Sequence, residues 1–142
     1  MPGNFITIGT QPMRELRSSD KNEILIFDKQ SGTRIKLFYR TPSTSERVQY
    51  KSAIINAASK NRLNASDAIS NCQLDYAEKF ITGFEENNFS VDGNAISSNP
   101  ASKDYYADWK QFLKDSASDI MFAFVDVVFD APNYQLKDEV FF

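Results

Sequence analysis

The change from strand to helix that decides the fold lies in the stretch TRIKLFYRTPSTSE, residues 33–46. In its first half apolar and basic side chains alternate, which is typical of a half-buried strand. Pro42 cannot continue a central strand, so the strand ends before it. Ser43 is followed three residues later by Glu46, and this pair is the capping box of a helix N-terminus. The stretch therefore predicts a strand and then a helix from Thr44 to about Ser59.

A second strand precedes this stretch. Residues 23–28 read EILIFD, and only the short segment 29–32 separates them from the strand at 33–40. Gly32 can adopt the positive φ that a tight turn requires. We therefore predict an antiparallel hairpin, to which residues 5–8 (FITI) could add a third strand.

Further helices are predicted after residue 64. Apolar residues recur there at three- and four-residue spacings, which is typical of amphipathic helices. The predicted helices cover about Asp67–Glu86, Ser102–Lys114 and Asp119–Asp130. Cys72 lies on the apolar stripe of the first of them, which indicates a buried structural thiol. Asp92-Gly93 predicts the turn of a short hairpin within residues 89–96.

These elements predict one α+β domain over residues 1–142. An N-terminal antiparallel β-hairpin at 23–40, or a small sheet, would pack on a mostly helical part of about four helices at 43–130. Residues 131–142 form a C-terminal tail. Because the strands precede the helices, a doubly wound parallel sheet is not expected.

Composition excludes several classes of function. The 142 residues contain no His and one Cys, which removes His-dependent catalysis, His-ligated zinc and an intrachain disulfide. No apolar run approaches the length of a transmembrane helix, and the N-terminus lacks the features of a signal peptide, so we expect a cytoplasmic protein. The net charge of −3 gives no sign of a nucleic-acid binder. No cofactor is expected.

Charge is nevertheless unevenly distributed along the chain. Residues 1–71 hold eleven basic and six acidic residues, whereas residues 72–142 hold five and thirteen. Two interpretations remain open: the halves neutralise each other within one domain, or they form contact surfaces of opposite sign.

Two charged constellations could carry chemistry. Carboxylates spaced four residues apart could hold Mg²⁺ or act in acid–base catalysis, but a solvated acidic helix face explains them better. These pairs are Asp115 with Asp119 and Asp126 with Asp130. A run of basic residues with interleaved Tyr could grip phosphate, face solvent, or bind an acidic protein. The run comprises Arg34, Lys36, Arg40, Arg47 and Lys51.

The fourth predicted helix and the tail are unusually apolar. A helix that is apolar on every side is either deeply buried or contacts a partner. The tail also ends in apolar residues, which require a docking surface on their own fold or on another chain. We therefore select as candidate partner-binding residues Phe122, Val127, Phe129, Val140, Phe141 and Phe142.

The order of elements over residues 23–130 resembles the small tail assembly chaperones of long-tailed bacteriophages and prophages. In that family a stretch of the type [YF]-R-x-P-[ST]-[ST]-x-[DE]-[RE] opens the first helix, and Phe38–Tyr50 is similar to it. An aromatic-Gly-Trp-x-Gly motif ends the second helix before an Asp-Gly turn. Here Phe84 stands at the Trp position and the second Gly is missing.

The resemblance implies a non-enzymatic assembly factor. Such chaperones coat the long, apolar, helical tape-measure protein, are displaced when tail-tube subunits polymerise, and are absent from the finished virion. Many weak contacts along one partner would add avidity. The expected partner is thus the tape-measure protein, the tail-tube protein, or both.

Other functions remain open. A permanent virion component, such as a head–tail connector or minor tail protein, would form a stable homo-oligomer or ring. A small protein-binding regulator would be a monomer or dimer with one partner patch. An acid-dependent enzyme would need a pocket with perturbed carboxylates.

Overall fold

The computed structural model describes residues 13, 15–60 and 63–132. The strands are β1 (Asn22–Asp28), β2 (Thr33–Tyr39), β3 (Ile81–Phe84), β4 (Phe89–Val91) and β5 (Asn94–Ile96). The helices are α1 (Thr44–Lys60), α2 (Ala65–Phe80), α3 (Trp109–Ser116) and α4 (Ser118–Val125), followed by a π-helical turn at Asp126–Asp130. The predicted α+β class, with a small antiparallel sheet and four α-helices, is confirmed.

The main sheet has the antiparallel order β1-β2-β3. The predicted hairpin is confirmed: Ile26 pairs with Ile35, and Gly32 takes a φ of 73° in the connecting turn. The third described strand is β3, which pairs Phe84 with Leu37 on β2. The predicted strand at residues 5–8 lies outside the described residues.

The junction between α2 and β3 corrects the predicted helix, which was expected to continue to about Glu86. The helix ends at Phe80, and the chain continues directly into β3 without a loop. The backbone N–H of Arg40 donates to the Phe80 carbonyl over 3.0 Å, which ties the junction to the end of β2. The strand is favoured over a longer helix because Ile81 and Phe84, which pair with β2, are almost completely buried.

The segment between α2 and α3 is held mainly by backbone hydrogen bonds. β4 and β5 form the predicted hairpin, with positive φ at Asp92 and Gly93. The next helix begins at Trp109, not near Ser102 as predicted. Residues 102–108 instead form turns, because Ser97 bonds Asp104 and Tyr106 through its own backbone N–H and carbonyl.

The core lies between one face of the main sheet and the helices. Its largest fully buried side chains come from β2, α2, β3 and α4; among them are Ile35, Leu37, Phe80, Met121 and Phe124. The thiol of Cys72 is half-buried on α2 rather than fully buried as predicted, and burial raises its pKa. In the described part of the chain every buried side-chain nitrogen and oxygen has a hydrogen-bond partner.

Candidate partner-binding surface

The start of α1 is fixed by the capping box that the sequence predicts. The backbone N–H of Ser43 donates to Glu46 Oε1 over 2.9 Å, and the N–H of Glu46 donates to Ser43 Oγ over 3.1 Å. Arg40 holds the same carboxylate through two hydrogen bonds of 2.9 and 3.0 Å. These hydrogen bonds, above all those from Arg40, lower the pKa of Glu46 to about 2.

One turn further along, α1 holds the π-helical turn. Arg47 Nη1 donates to the Val128 carbonyl over 2.6 Å, and the Tyr50 hydroxyl donates to Asp130 Oδ2 over 3.2 Å. Burial raises the pKa of Tyr50 and also that of Asp130, although the hydrogen bond from Tyr50 opposes the shift of the carboxyl group. The stretch that carries the family resemblance thus forms a joint between β2, α1 and the end of α4.

The joint encloses an aromatic cluster. The ring centroid of Phe129 lies 4.7 Å from that of Tyr50, 5.1 Å from that of Phe80 and 5.7 Å from that of Tyr76. Phe129 is only 9% exposed. It therefore contributes to the core, whereas the sequence led us to expect it on a partner-binding surface.

The π-helical turn explains this difference. The N–H of Ala131 donates to the carbonyl of Asp126 over 2.7 Å, which is an i→i+5 bond in place of the α-helical i→i+4 bond. The wider turn rotates Phe129 from the off-stripe position that an α-helix would give it back toward the apolar side of α4. The continuous helix predicted to Asp130 is corrected accordingly: its α-helical part ends at Val125.

The other predicted contact residues have different positions. Val127 is 49% exposed on the π-helical turn, and Phe122 is half-buried on α4. Val140, Phe141 and Phe142 lie outside the described residues. The structure thus leaves Val127 as the most accessible described member of the predicted set.

Helix α1 presents apolar side chains that the sequence analysis did not select. Its buried residue is Tyr50, whereas Val48 is 57% and Ile55 is 64% exposed. Because these two residues are seven apart, they lie on the same side of the helix. The sequence pattern predicts Val48 on the apolar face that it shares with Tyr50, and this prediction is wrong because Val48 is exposed on the other side of the helix. We call Val48 and Ile55 the α1 surface.

A second exposed apolar region lies on the main sheet. Leu25 and Phe27 of β1 are 58% and 63% exposed, on the face opposite Ile24 and Ile26. Period-two alternation along residues 23–28 places them together, and the helices pack against the other face.

The charged constellations have structural partners. Lys36 lies 3.6 Å from Glu23 and 3.4 Å from Glu85, and these carboxylates raise its pKa. On α3, Gln111 donates to Asp115 over 2.9 Å. Among the described residues no group of three or more Cys, Asp or Glu could hold a metal ion. Within the part that the structure describes, the paired carboxylates are therefore not joined by a third ligand for a metal ion.

A polar pocket of about 650 Å³ lies between residues 15–19 and the start of α1. Its lining includes Thr41, Ser43, Thr44 and Arg47, and the last of these is already engaged with the Val128 carbonyl.

Comparisons with protein-family models, with curated proteins and with solved structures each find no match for this chain. Within the described ranges, each helix is too short or too polar to cross a lipid bilayer.

Proposed function

We propose that this chain is a non-enzymatic tail assembly chaperone of the long-tailed-phage type, whose partner is an apolar helical segment of a tape-measure protein. The observation that carries the proposal is the position of residues 38–50. The resemblance implies that this stretch opens the first helix, and α1 begins at Thr44 within it. Arg40, Glu46 and Arg47 of the stretch each make a defined contact at the joint.

The α1 surface is the contact region that we propose for the partner. A helix that buries one aromatic residue on one side and exposes Val48 and Ile55 on the other can accept an amphipathic helix alongside it. Val127, which is exposed on the π-helical turn next to the Val128 carbonyl that Arg47 of α1 holds, is a further candidate contact residue. Phe122, with the tail residues Val140, Phe141 and Phe142, would complete the surface.

Co-expression with the tape-measure protein of the same locus tests the proposal. We expect the tape-measure protein to become soluble and to co-purify with many copies of this chain, as measured by affinity capture and light scattering. The variant Val48→Lys/Ile55→Lys should lose capture because it places two charges on the contact surface. The matched control Leu25→Lys/Phe27→Lys carries the same charge change on β1 and should retain capture.

The outcome also separates the alternatives. A tape-measure protein that stays insoluble while this chain elutes alone as a closed ring would contradict the proposal and favour a permanent virion component. Recovery of the chain from purified virions would have the same meaning, because a chaperone is expected to leave before the tail is complete.

A further inference from the structure

The outer edge of β1 is a strand edge without a partner among the described residues. In the main sheet β1 pairs with β2 only, and its other side carries no described strand. Long exposed edges of this kind are templates for another strand, and proteins usually protect them with charges, bulges or Pro. Here the strand is seven residues long, regular, and apolar on both faces.

The backbone groups at this edge can be assigned from the neighbouring strands. The carbonyl of Lys36 accepts from the N–H of Glu85, and the N–H of Lys36 donates to Asn88, so residue 36 faces β3. Residues 35 and 37 therefore face β1, where their partners are Ile26 and Ile24. By alternation, the backbone groups of residues 23, 25 and 27 point to the open edge.

We propose that a second copy of this chain occupies this edge, with β1 pairing antiparallel to β1 of the second copy about a two-fold axis at Ile26. In this register Leu25 lies opposite Phe27 of the second copy, and the relation is reciprocal. The same register brings Glu23 near Lys29, the first residue of the turn after β1, in the second copy, again twice. The pairing places apolar beside apolar and acidic beside basic, as an isologous interface requires.

The register follows from the side chains themselves. A two-fold at Leu25 would instead place Phe27 opposite Glu23, which matches an aromatic ring with a carboxylate. Lys29 makes no ion pair with any described residue, and Glu23, which lies 3.6 Å from Lys36 in its own chain, is still 55% exposed and can contact a second cation. On the inner face, a pocket of about 400 Å³ beside Ile26 and Ala123 leaves space near the axis.

The described chain ends lead away from this edge. The N–H of Thr41 donates to the Ser19 carbonyl, and the N–H of Ser19 donates to Thr41 Oγ1. The Thr82 hydroxyl of β3 donates to the Asp20 carbonyl, so the chain enters β1 from the β3 side. At the other end, Asp130 bonds Tyr50 on α1. The self-complementary register of β1 is what favours a second copy as the occupant of this edge.

Sedimentation velocity and light scattering of the full chain test the interface between about 1 µM and 1 mM. We expect a reversible dimer of twice 16.1 kDa. Leu25→Lys/Phe27→Lys should weaken it at least about tenfold, because each substitution acts twice in the dimer. The matched control Val48→Lys/Ile55→Lys should leave the dissociation constant unchanged. Since all four residues are exposed, circular dichroism should show both variants folded.

Charge reversal and cross-linking test the register. Lys29→Glu should weaken the dimer by a factor of several, whereas Lys51→Glu on α1, which changes the charge equally, should not. In a Cys72→Ser background, Ile26→Cys should form an intermolecular disulfide across the axis, because residues at this position face each other at about 4.5 Å between Cα atoms. Leu25→Cys should cross-link far more slowly.

Three results would overturn the proposal. The chain could remain monomeric throughout the concentration range, as it would if its own terminal residues cover β1. A dimer could persist in Leu25→Lys/Phe27→Lys, or be lost in the α1 control, which would move the interface elsewhere. Preferential cross-linking through Leu25→Cys would reject the register. None of these results depends on whether a tape-measure protein binds.

Discussion

Replacing Phe129 with Ala tests whether the π-helical turn belongs to the core. The substitution removes a ring that is 9% exposed and whose centroid lies within 6 Å of three other aromatic rings. Large-to-small changes of a buried Phe cost about 3–5 kcal/mol of unfolding free energy. Because Phe129 keeps 9% exposure and is not completely buried, we expect the lower end of this range, about 3 kcal/mol.

This loss should be visible in thermal unfolding. For a chain of this size 1 kcal/mol corresponds to roughly 3–5 °C, so Phe129→Ala should lower the Tm by about 10 °C. Phe129→Leu keeps apolar volume and loses the ring contacts, and it should fall between Ala and the wild type. Val127→Ala is the matched control two residues away: at 49% exposure it should change the unfolding free energy by less than about 0.5 kcal/mol.

The readout is the Tm by circular dichroism, supported by urea unfolding at 25 °C. If Phe129→Ala and Val127→Ala melt within about 1 °C of each other, the turn does not pack on Tyr50 and Phe80, and the reasoning is wrong. If Phe129→Ala instead lost tape-measure capture at unchanged Tm, the residue would belong to the partner surface, as its sequence pattern suggested.

Three further predictions concern other parts of the fold. Glu46→Gln should lower the unfolding free energy by about 1–2 kcal/mol at pH 7, a modest loss because the ion pair with Arg40 is partly exposed. Folding lowers the pKa of Glu46 from 4.5 to about 2, so the urea midpoints of wild type and variant should converge as the pH falls from 4.5 toward 2. Gly83→Ala would place a Cβ 2.9 Å from Ser98 Oγ, so it should lower the unfolding free energy by about 1–3 kcal/mol; an unchanged urea midpoint would refute that contact. Cys72 should react more slowly with a thiol reagent in the native chain than in urea, because burial raises its pKa; equal rates would contradict its position.

Local sequence signals predict much of this fold. The hairpin and the capping box at Ser43 depend on nearest neighbours, and they are present as expected. The end of α2 was misplaced because Phe80, Ile81 and Phe84 suit a helical stripe as well as a buried strand. Only the distant pairing with β2 selects the strand, and no local pattern contains that information.

The partner-binding surface was less predictable. Phe129 was selected by projecting an α-helical period through Asp130, and one wide turn is enough to bring it onto the buried side. Exposed residues such as Ile55 and Phe27 become informative only when the rest of the fold shows what covers them. The tail residues Val140, Phe141 and Phe142 remain predictions.

The pairing of β2 with β3 has a kinetic consequence. Tyr39 and Ile81 are neighbours in the sheet, yet both long helices, α1 and α2, lie between them in the chain. Closing a loop of this length costs chain entropy, so we expect α1 and α2 to pack on each other before β2 pairs with β3. Until β3 pairs with β2, neither edge of the β1–β2 hairpin is paired with β3. Before β3 pairs with β2, we expect a partly folded chain to be most prone to strand pairing with a second partly folded copy.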